Sequence, residues 1–369
     1  MRVAMIGHKD FPSRSGGVEV VVYELATRLS REGHQVAVYN RGREKGHNAY
    51  IKEGVQVYRT ATVKNQSLNA LLYSVTATMA ALRRQYDLIH YHALGPSVML
   101  LAAHLLGRKT VATVHGLDWQ RAKWNRLGSA YLKLGERIIA RYADAVIVLS
   151  RGVAAYFQET YGRTPVLIEN GIVPVEYASC SRLTREFGLH HRGFILFLAR
   201  IVPEKGLHDL IAAFADCRTE KKLVIAGELP DTEYGRQIQD MAAKDRRIVF
   251  TGFAQGEILR ALYHHCSLYV LPSYVEGLAL TLLEAMSAGA RCLTSDIQEN
   301  ADVLGRFGST FPAGDVAALK NCLQESLDAG TENLLAQAQM EYIQKKYDYT
   351  AVVEKTLGVY GEVVGHENC

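Results

Sequence analysis

The feature that most constrains the fold is a regular alternation of short apolar strands with helical segments. In the first half the predicted strands are Met1–Ile6, Gln35–Tyr39, Leu88–His92, Thr110–Val114, Ala145–Leu149 and Val166–Ile168. In the second half they are Phe194–Leu198, Lys222–Ala226, Ile248–Gly252, Ser267–Leu271 and Arg291–Thr294. Strands that alternate with helices predict an α/β protein, with parallel strands and helices on both faces of the sheet.

The alternation stops once and then restarts, which predicts two domains. Val173–Arg192 is polar and has no long apolar period, so we interpret it as the linker. A chain of 369 residues is long enough for a domain on each side of it. The predicted boundaries are residues 1–172 and 173–346, followed by a C-terminal helical segment over 347–369.

Charge is divided unequally between the halves. Residues 1–165 carry a net charge of +12 and the remainder carries −8. A basic half predicts an anionic partner, and without a nucleic-acid module a membrane surface or a phosphorylated acceptor fits better than nucleic acid. Between Trp119 and Arg141 the basic residues are Arg121, Lys123, Arg126, Lys133, Arg137 and Arg141, against the single acid Glu136.

This basic segment is predicted to be a helix over Lys123–Arg141, with apolar residues on one side (Leu127, Tyr131, Leu134 and Ile138). Its basic side is either an ordinary solvated face or a surface for anionic lipid. No apolar run approaches the ~20 residues that span a bilayer, and MRVAMIGHKD does not resemble a signal peptide. The six cysteines are scattered, as in a reducing compartment. We therefore expect a cytoplasmic protein, peripheral on the inner face of the membrane if the basic segment binds lipid.

The stretch Ser273–Gly289, SYVEGLALTLLEAMSAG, combines a strand end, a loop and an apolar helix. Ligands of open α/β sheets bind at the carboxyl ends of strands, where this loop is predicted to lie. Glu276 in the loop and Glu284 in the helix could accept hydrogen bonds from sugar or ribose hydroxyls. For Glu284, an ordinary capping or pairing role on the helix surface is the alternative.

Other strand ends carry groups suited to an anion. Arg200 and Lys205 share one loop ahead of Gly206, and together they could hold a diphosphate. The pair Gly16-Gly17 precedes a helix and could offer backbone amides to a phosphate, or could simply make a tight turn. His115 and Asp118 follow another strand, where His115 is either functional or structural. His90 and His92 could equally be packing residues.

Taken together, these motifs resemble the retaining family-four glycosyltransferases of the GT-B fold. The resemblance rests on Gly16-Gly17, on Arg200 with Lys205-Gly206, and on Glu276 with Glu284, which begins the motif Glu-Ala-Met-x-x-Gly. It implies two Rossmann-like domains that face each other across a cleft, the first binding the acceptor and the second the donor. It also implies that the last helix crosses back to the first domain. The sequences of Gly16–Glu19 and His115–Trp124 are similar to those of the bacterial rhamnosyltransferase-like subgroup, which acts in surface-polysaccharide synthesis.

The resemblance also implies roles for individual residues. Arg200 and Lys205 would hold the donor diphosphate, with Gly16 and Gly17 supporting it, and Glu284 would accept the ribose hydroxyls. Glu276, with Gly277 and Leu278 beside it, would face the donor sugar. His115 would lie near the reacting sugar, and the base would contact the stretch that ends at Gly252. We expect Asp118, Arg121 and Lys123 to contact the acceptor. The family often has proline where this chain has Ala279 and Arg291.

The implied reaction is hexose transfer from a nucleotide diphosphate sugar, UDP- or dTDP-linked, to a glycan or polyprenyl-phosphate-linked acceptor. Arg200 and Lys205 would stabilise the leaving diphosphate, so we expect no metal and no other cofactor. Two alternatives remain open at this point: a sugar-nucleotide epimerase of the same fold, and a non-catalytic sugar-nucleotide-binding protein.

Overall fold

The predicted alternation forms two parallel sheets. The computed structural model describes residues 1–14, 16–42, 49–62, 66–120, 124–330 and 333–365, without the side chains of 66–68. The chain divides into two compact units: unit 1 is residues 1–171 with 349–369, and unit 2 is residues 172–348. The chain therefore leaves unit 1 after Gly171 and returns to it at Tyr349.

The described residues of unit 1 form eight strands, which are β1 (Arg2–Ile6), β2 (Gln35–Arg41), β3 (Ala49–Lys52), β4 (Val55–Thr60), β5 (Leu88–His92), β6 (Thr110–Val114), β7 (Ala145–Val148) and β8 (Val166–Leu167). Its helices are α1 (Gly17–Arg31), α2 (Gln66–Leu82), α3 (Leu100–Leu105), α4 (Arg126–Tyr142), α5 (Arg151–Tyr161) and the C-terminal helix, which we label α14 (Tyr349–Val364). Short 3-10 turns cover Pro96–Met99 and Asp118–Gln120.

The strands of unit 1 lie in the order β3-β4-β2-β1-β5-β6-β7-β8, all parallel except for the β3–β4 pair. Alternate residues of a strand face opposite sides of a sheet. In β1, Ala4 and Ile6 pack with α2 to α5, whereas Val3 and Met5 pack with α1 and α14. Helices therefore cover both faces, as the alternation predicted. The β3–β4 hairpin has no counterpart among the predicted strands.

In the part of unit 2 that the structure describes there are six strands, which are β9 (Phe194–Leu198), β10 (Lys222–Ala226), β11 (Ile248–Gly252), β12 (Leu268–Leu271), β13 (Cys292–Ser295) and β14 (Gly308–Phe311); β14 has no counterpart among the predicted strands. Its helices are α6 (Ser181–Phe187), α7 (Leu207–Ala215), α8 (Glu233–Ala242), α9 (Gly256–His265), α10 (Leu280–Ser287), α11 (Gln298–Leu304), α12 (Val316–Asp328) and α13 (Ala336–Lys346). A 3-10 turn covers Pro203–Lys205.

The order of strands in unit 2 decides where a ligand can bind. It is β11-β10-β9-β12-β13-β14, which is the doubly wound order 3-2-1-4-5-6. The chain winds outward from β9 in one direction and from β12 in the other, so the loops that follow these two strands separate. In such sheets ligands bind in the crevice at this switch point. The loop after β9 carries Arg200 and Lys205, and the loop after β12 carries Glu276.

The interpretation of Val173–Arg192 as a linker is wrong. Leu183, in α6, and Leu189 are both buried in the core of unit 2, as is Ala178. The segment was misread because its apolar residues are sparse and α6 is short. A few well-placed apolar side chains suffice to anchor it.

No helix within the described residue ranges is both long and apolar enough to cross a membrane.

Candidate active site

The two loops at the switch point of unit 2 meet in an ion pair between Lys205 and Glu276. The ammonium of Lys205 donates to Glu276 Oε1, and the side chains are only 14% and 8% exposed. The hydroxyl of Ser273 donates to the same carboxylate oxygen at 2.8 Å. The structure therefore brings together one cation and one carboxylate that the sequence had assigned to a single site.

Close backbone contacts hold these two loops together. The N–H of Tyr274 donates to the carbonyl of Glu204 at 2.9 Å. Gly206 ends the 3-10 turn in the left-handed conformation, with φ of 65°. A Cβ on Gly206 would lie 2.1 Å from the carbonyl oxygen of Pro272. Glycine is therefore required here both by conformation and by the close approach of the second loop.

We expect Gly206→Ala to destabilise the protein by about 2 kcal/mol or more, because left-handed strain and the overlap with Pro272 add together. The midpoint of urea unfolding, followed by far-UV circular dichroism, measures the loss. Gly256→Ala is the matched control: φ at Gly256 is 58°, and a Cβ there would meet nothing within 4 Å. Equal losses in the two variants would contradict the tight approach of the loops.

A polar network that sequence reasoning missed braces the same loop against α7. The hydroxyl of Tyr274 donates to the carboxylate of Asp209 and lies 3.3 Å from His208 Nε2. His208 Nδ1 lies 3.0 Å from the hydroxyl of Tyr234. Burial, and then the hydrogen bond to Asp209, raise the pKa of Tyr274, so its phenol stays protonated and can donate. The sequence signal was the placement of polar residues directly after Lys205-Gly206.

Arg200 is exposed, unlike Lys205. Within the described residues its guanidinium makes no side-chain hydrogen bond or ion pair. The structure thus places Arg200 on the same loop as Lys205, but does not bring it into contact with Glu276.

Glu284 is half-buried on α10, where its Oε2 accepts a hydrogen bond of 2.7 Å from the hydroxyl of Tyr263. Tyr263 packs against Tyr269 with the ring centroids 6.2 Å apart. Burial raises the pKa of Tyr269 well above its ordinary value, and the negative charges of Glu276 and Glu284 act in the same direction. The negative charges of both carboxylates therefore disfavour ionisation of the same buried phenol, that of Tyr269. Gly277 and Leu278 lie between them in the chain, and Gly252 ends β11 at the same edge of the sheet.

In unit 1, Gly16 and Gly17 do begin a helix. Gly16 is the N-cap of α1, in an extended conformation, and Gly17 is its first residue. The carboxylate of Glu19 occupies the space beside Gly16, since a Cβ on Gly16 would lie 2.5 Å from Glu19 Oε2. Its other oxygen accepts the N–H of Lys9 at 3.1 Å. The carboxylate of Glu19 therefore lies beside this helix start, and the predicted phosphate-binding role of these glycines stays a prediction.

His115 belongs to a chain of aromatic side chains along the edge of the sheet of unit 1. Its Nε2 lies 3.1 Å from Nδ1 of His92, and the His92 ring packs on His90 with the centroids 4.1 Å apart. His90 in turn bonds the hydroxyls of Thr113 (2.7 Å) and of Tyr360 on α14 (2.6 Å). His90 and His92 are buried, so the alternative of a packing role holds for both.

Burial keeps His8, His90 and His92 neutral. It lowers the pKa of His90 to about 3 and that of His8, beside β1, to about 4, and it lowers the pKa of His92 well below its ordinary value. Among the described residues, none offers a hydrogen-bond partner to the Nε2 of His92. A buried acceptor tolerates this better than a buried N–H, so we place the proton of His92 on Nδ1, donating to His115. His115 then carries its own proton on Nδ1.

The acceptor residues predicted after His115 are only partly described. Asp118 begins the 3-10 turn Asp118–Gln120 and is half-buried. Arg121 and Lys123 lie outside the described residues. Trp119, the middle residue of this turn, anchors it, because its Nε1–H donates to Glu136 Oε2 at 2.8 Å.

Glu136, the single acid of this segment, does not lie on the exposed side of α4. Its side chain is fully buried and also accepts hydrogen bonds from Tyr156 (2.7 Å) and Tyr161 (2.6 Å). The predicted apolar side of this helix was partly wrong. Leu127 and Leu134 are 81% and 47% exposed, while Leu132, Ile138 and Ile139 are buried. Leu132 and Ile139, one turn before and after Glu136, are also buried, so Glu136 lies on the inward face of the helix, where it meets these aromatic donors.

We expect Glu136→Gln to lower the free energy of unfolding by about 2 kcal/mol, since three donors would share one neutral amide. Both tryptophans of the chain, Trp119 and Trp124, lie in unit 1, so the urea midpoint can be followed by their fluorescence. Glu257→Gln, at an exposed carboxylate on α9, serves as the control. An unchanged midpoint in Glu136→Gln would show that the buried carboxylate is not needed.

No three histidine, cysteine, aspartate or glutamate side chains converge as metal ligands in the described part of the chain.

Comparison with known proteins agrees with this architecture. Residues 15–175 match the family described as Glycosyltransferase Family 4, and residues 192–329 match Glycosyl transferases group 1. Each half of the chain therefore matches a glycosyltransferase family, and the two-domain α/β fold is that of the GT-B glycosyltransferases. Its fold is similar to that of sucrose-phosphate synthase from Thermosynechococcus elongatus, with a TM-score of 0.85 at 20% identity, over 99% of this chain and 100% of that one.

Two curated relatives show the range of acceptors among similar glycosyltransferases. Glycogen synthase from Mycobacterium tuberculosis is 27% identical, and the match covers 98% of this chain and 94% of that protein. Phosphatidyl-myo-inositol mannosyltransferase from Propionibacterium freudenreichii is 25% identical, with the same coverage. One name indicates a glycan product and the other a lipid acceptor.

Proposed function

We propose that this glycosyltransferase moves a hexose from a nucleotide diphosphate sugar to an acceptor, with retention of configuration at the anomeric carbon. The observation that carries the proposal is the Lys205–Glu276 pair, held at the switch point of unit 2 where open sheets bind ligands. A cation there can stabilise the diphosphate that departs, and a carboxylate there can accept hydrogen bonds from the sugar.

In this proposal Lys205 pairs with Glu276 in the absence of donor and with the donor diphosphate when it binds. Its pairing with Glu276 keeps a largely buried cation compensated and oriented. A donor diphosphate, with more negative charge than one carboxylate, competes for that ammonium and leaves Glu276 to accept sugar hydroxyls. Arg200, which is exposed and unpaired among the described residues, adds a planar fork of donors for the same phosphates.

As the bond to the leaving phosphate breaks, negative charge grows on the diphosphate and positive charge on the sugar ring. Lys205 and Arg200 stabilise the first charge and Glu276 the second. We propose front-face attack, in which the departing phosphate takes the acceptor proton. Because two protein cations serve the diphosphate, we propose that transfer needs no divalent metal. His115, with its proton on Nδ1, is proposed to lie near the reacting sugar.

Glu284 is proposed to accept the ribose hydroxyls of the donor. Its bond from Tyr263 fixes one carboxylate oxygen. We expect Glu284→Gln to weaken donor binding about tenfold, because hydrogen bonds to a charged acceptor become bonds to a neutral one. The thermal shift given by a series of donor concentrations measures this. Glu257→Gln is again the control, and an unchanged donor affinity in Glu284→Gln would remove this role.

The test of the function combines a donor screen with product analysis. Thermal shifts with UDP-, dTDP- and GDP-sugars identify the base, because a bound donor raises the apparent stability by mass action. We expect UDP- or dTDP-linked donors to bind. Transfer to a glycan or polyprenyl-phosphate-linked acceptor, in the presence of a chelator, should give a product with the anomeric configuration of the donor.

Each of the other outcomes has a distinct meaning. Inversion at the anomeric carbon would refute retention, and loss of activity on chelation would refute metal independence. An isomerised donor without any acceptor would instead favour an epimerase, and binding without turnover would favour a non-catalytic protein. We place the activity in surface-polysaccharide synthesis, which predicts that a cell lacking the protein loses a sugar from its surface glycans.

A further inference from the structure

The exposed side of α4 combines cations with apolar side chains. At about 100° per residue, its exposed residues fall within an arc of about 120°. On one edge lie Arg126, Lys133 and Arg137, on the other Leu127 and Leu134, with Arg141 between them. No acidic side chain of α4 shares this arc, since Glu136 points inward. We call these six residues the basic face.

Apolar exposure continues from the basic face onto the neighbouring helices. The hydroxyl of Tyr131 donates to the carbonyl of Gly95 at 3.0 Å, so the leucine edge of α4 faces the segment that leads into α3. At the end of α3, Leu105 and Leu106 are 73% and 65% exposed. Leu71 and Met79 of α2, in the same helical layer, are also exposed.

The opposite helical layer of unit 1 has a different surface. In the described residues of α1 and α14, no large apolar side chain is exposed. The exposed positions of α14 include charges of both signs, such as Glu354 and Lys355. The exposed apolar side chains in the layer that contains α4 are therefore not an ordinary property of surface helices, because the described residues of α1 and α14 would then expose such side chains too.

We propose that the basic face, extended by Leu105 and Leu106, docks unit 1 on an anionic phospholipid bilayer. Lysine and arginine are attracted to anionic headgroups, and leucine side chains gain free energy by entering the boundary with the acyl chains. A protein partner would need acidic groups matched in position to each cation, whereas a fluid bilayer adapts to mixed leucine and arginine edges. The net charge of +12 on residues 1–165 acts in the same direction.

The experiment measures sedimentation of the full-length protein with vesicles of phosphatidylcholine, alone or mixed with phosphatidylglycerol. We expect binding to the mixed vesicles only, weakened by salt because the attraction is electrostatic. Leu127→Ser with Leu134→Ser should weaken it about tenfold or more, through lost apolar burial. Arg137→Glu with Arg141→Glu should weaken it at least as much.

Matched controls keep the result specific. Ile51→Ser with Leu334→Ser removes exposed apolar side chains elsewhere (71% and 91% exposed), and Arg185→Glu with Arg218→Glu reverses exposed charges in unit 2. The apolar control should bind vesicles like the natural protein, and the charge control should lose at most the small part owed to net charge. The proposal is overturned if the natural protein does not bind mixed vesicles, or if the variants of the basic face bind as well as their controls.

The same variants separate this proposal from the proposed function. None of the four altered residues has a role towards the donor, so the thermal shift with a nucleotide sugar should be unchanged in both variants of the basic face. A failure to bind vesicles with a normal donor shift refutes the docking surface alone. A missing donor shift in the natural protein refutes the proposed function and leaves the docking result to stand or fall by itself.

Discussion

Replacing Lys205 with alanine is expected to lower kcat/KM for sugar transfer by about 100-fold or more, the usual effect of removing one group that stabilises charge in a transition state. The ammonium is only 14% exposed and meets Glu276 between two loops. Alanine removes the cation that would stabilise the leaving diphosphate. Initial rates over a range of donor concentrations, with product formation measured directly, give the loss.

Two further variants show whether the loss comes from charge or from disturbed loops. Lys205→Met keeps most of the side-chain volume and should be as inactive as alanine. Lys205→Arg keeps the charge and should retain more activity, although its geometry towards Glu276 differs. Near-normal transfer by Lys205→Ala would count decisively against the site. An inactive variant that no longer unfolds cooperatively would be replaced by Lys205→Met for the comparison.

Acidification from pH 7 to pH 5 is expected to destabilise unit 1 by about 5 kcal/mol, from three histidines at up to about 1.4 kcal/mol per pH unit each. The folded-state pKa values of His8, His90 and His92 are depressed by burial, to about 4 for His8 and about 3 for His90. Their stabilising effect is therefore complete above the unfolded pKa near 6.5. It is lost as the pH falls below that value, because only the unfolded chain takes up protons.

Tryptophan fluorescence reads this transition in unit 1, since both tryptophans lie there. His8→Gln should remove about a third of the pH dependence, whatever it does to stability at pH 7. The neighbours of His8 include Glu19 and Asp10, which favour its protonation, and Arg41, which opposes it. A urea midpoint that stays constant between pH 7 and pH 5 would show that these imidazoles are not held neutral.

Much of the architecture followed from local pattern. Short β-branched strands, and helices between them, predicted most strands of both sheets, and each predicted strand matches an observed one to within a residue or two. The hairpin of β3 and β4 and the edge strand β14 were missed because these strands are short and mixed in polarity. The segment mistaken for a linker failed for a similar reason, since Leu183 and Leu189 are too few to give a period.

The candidate site was predicted in its composition but not in its contacts. Spacing along one loop suggested that Arg200 and Lys205 act together, yet Lys205 is paired with Glu276 and Arg200 is exposed. Strand order explains the difference. The sequence gives no direct evidence that β9 and β12 are neighbours, because β10 and β11 lie between them in the chain.

By itself, the sequence determined which elements form, which half is basic and which residue types are available for a diphosphate and a sugar. These properties depend on neighbours a few positions apart, through strand and helix periodicity and through charge. Only the tertiary structure decided that Glu136 points inward to three donors, that Tyr360 meets His90 across 270 positions, and that Leu127 and Leu134 remain exposed. The direction of a side chain is set by what packs against it, and those partners come from distant parts of the chain.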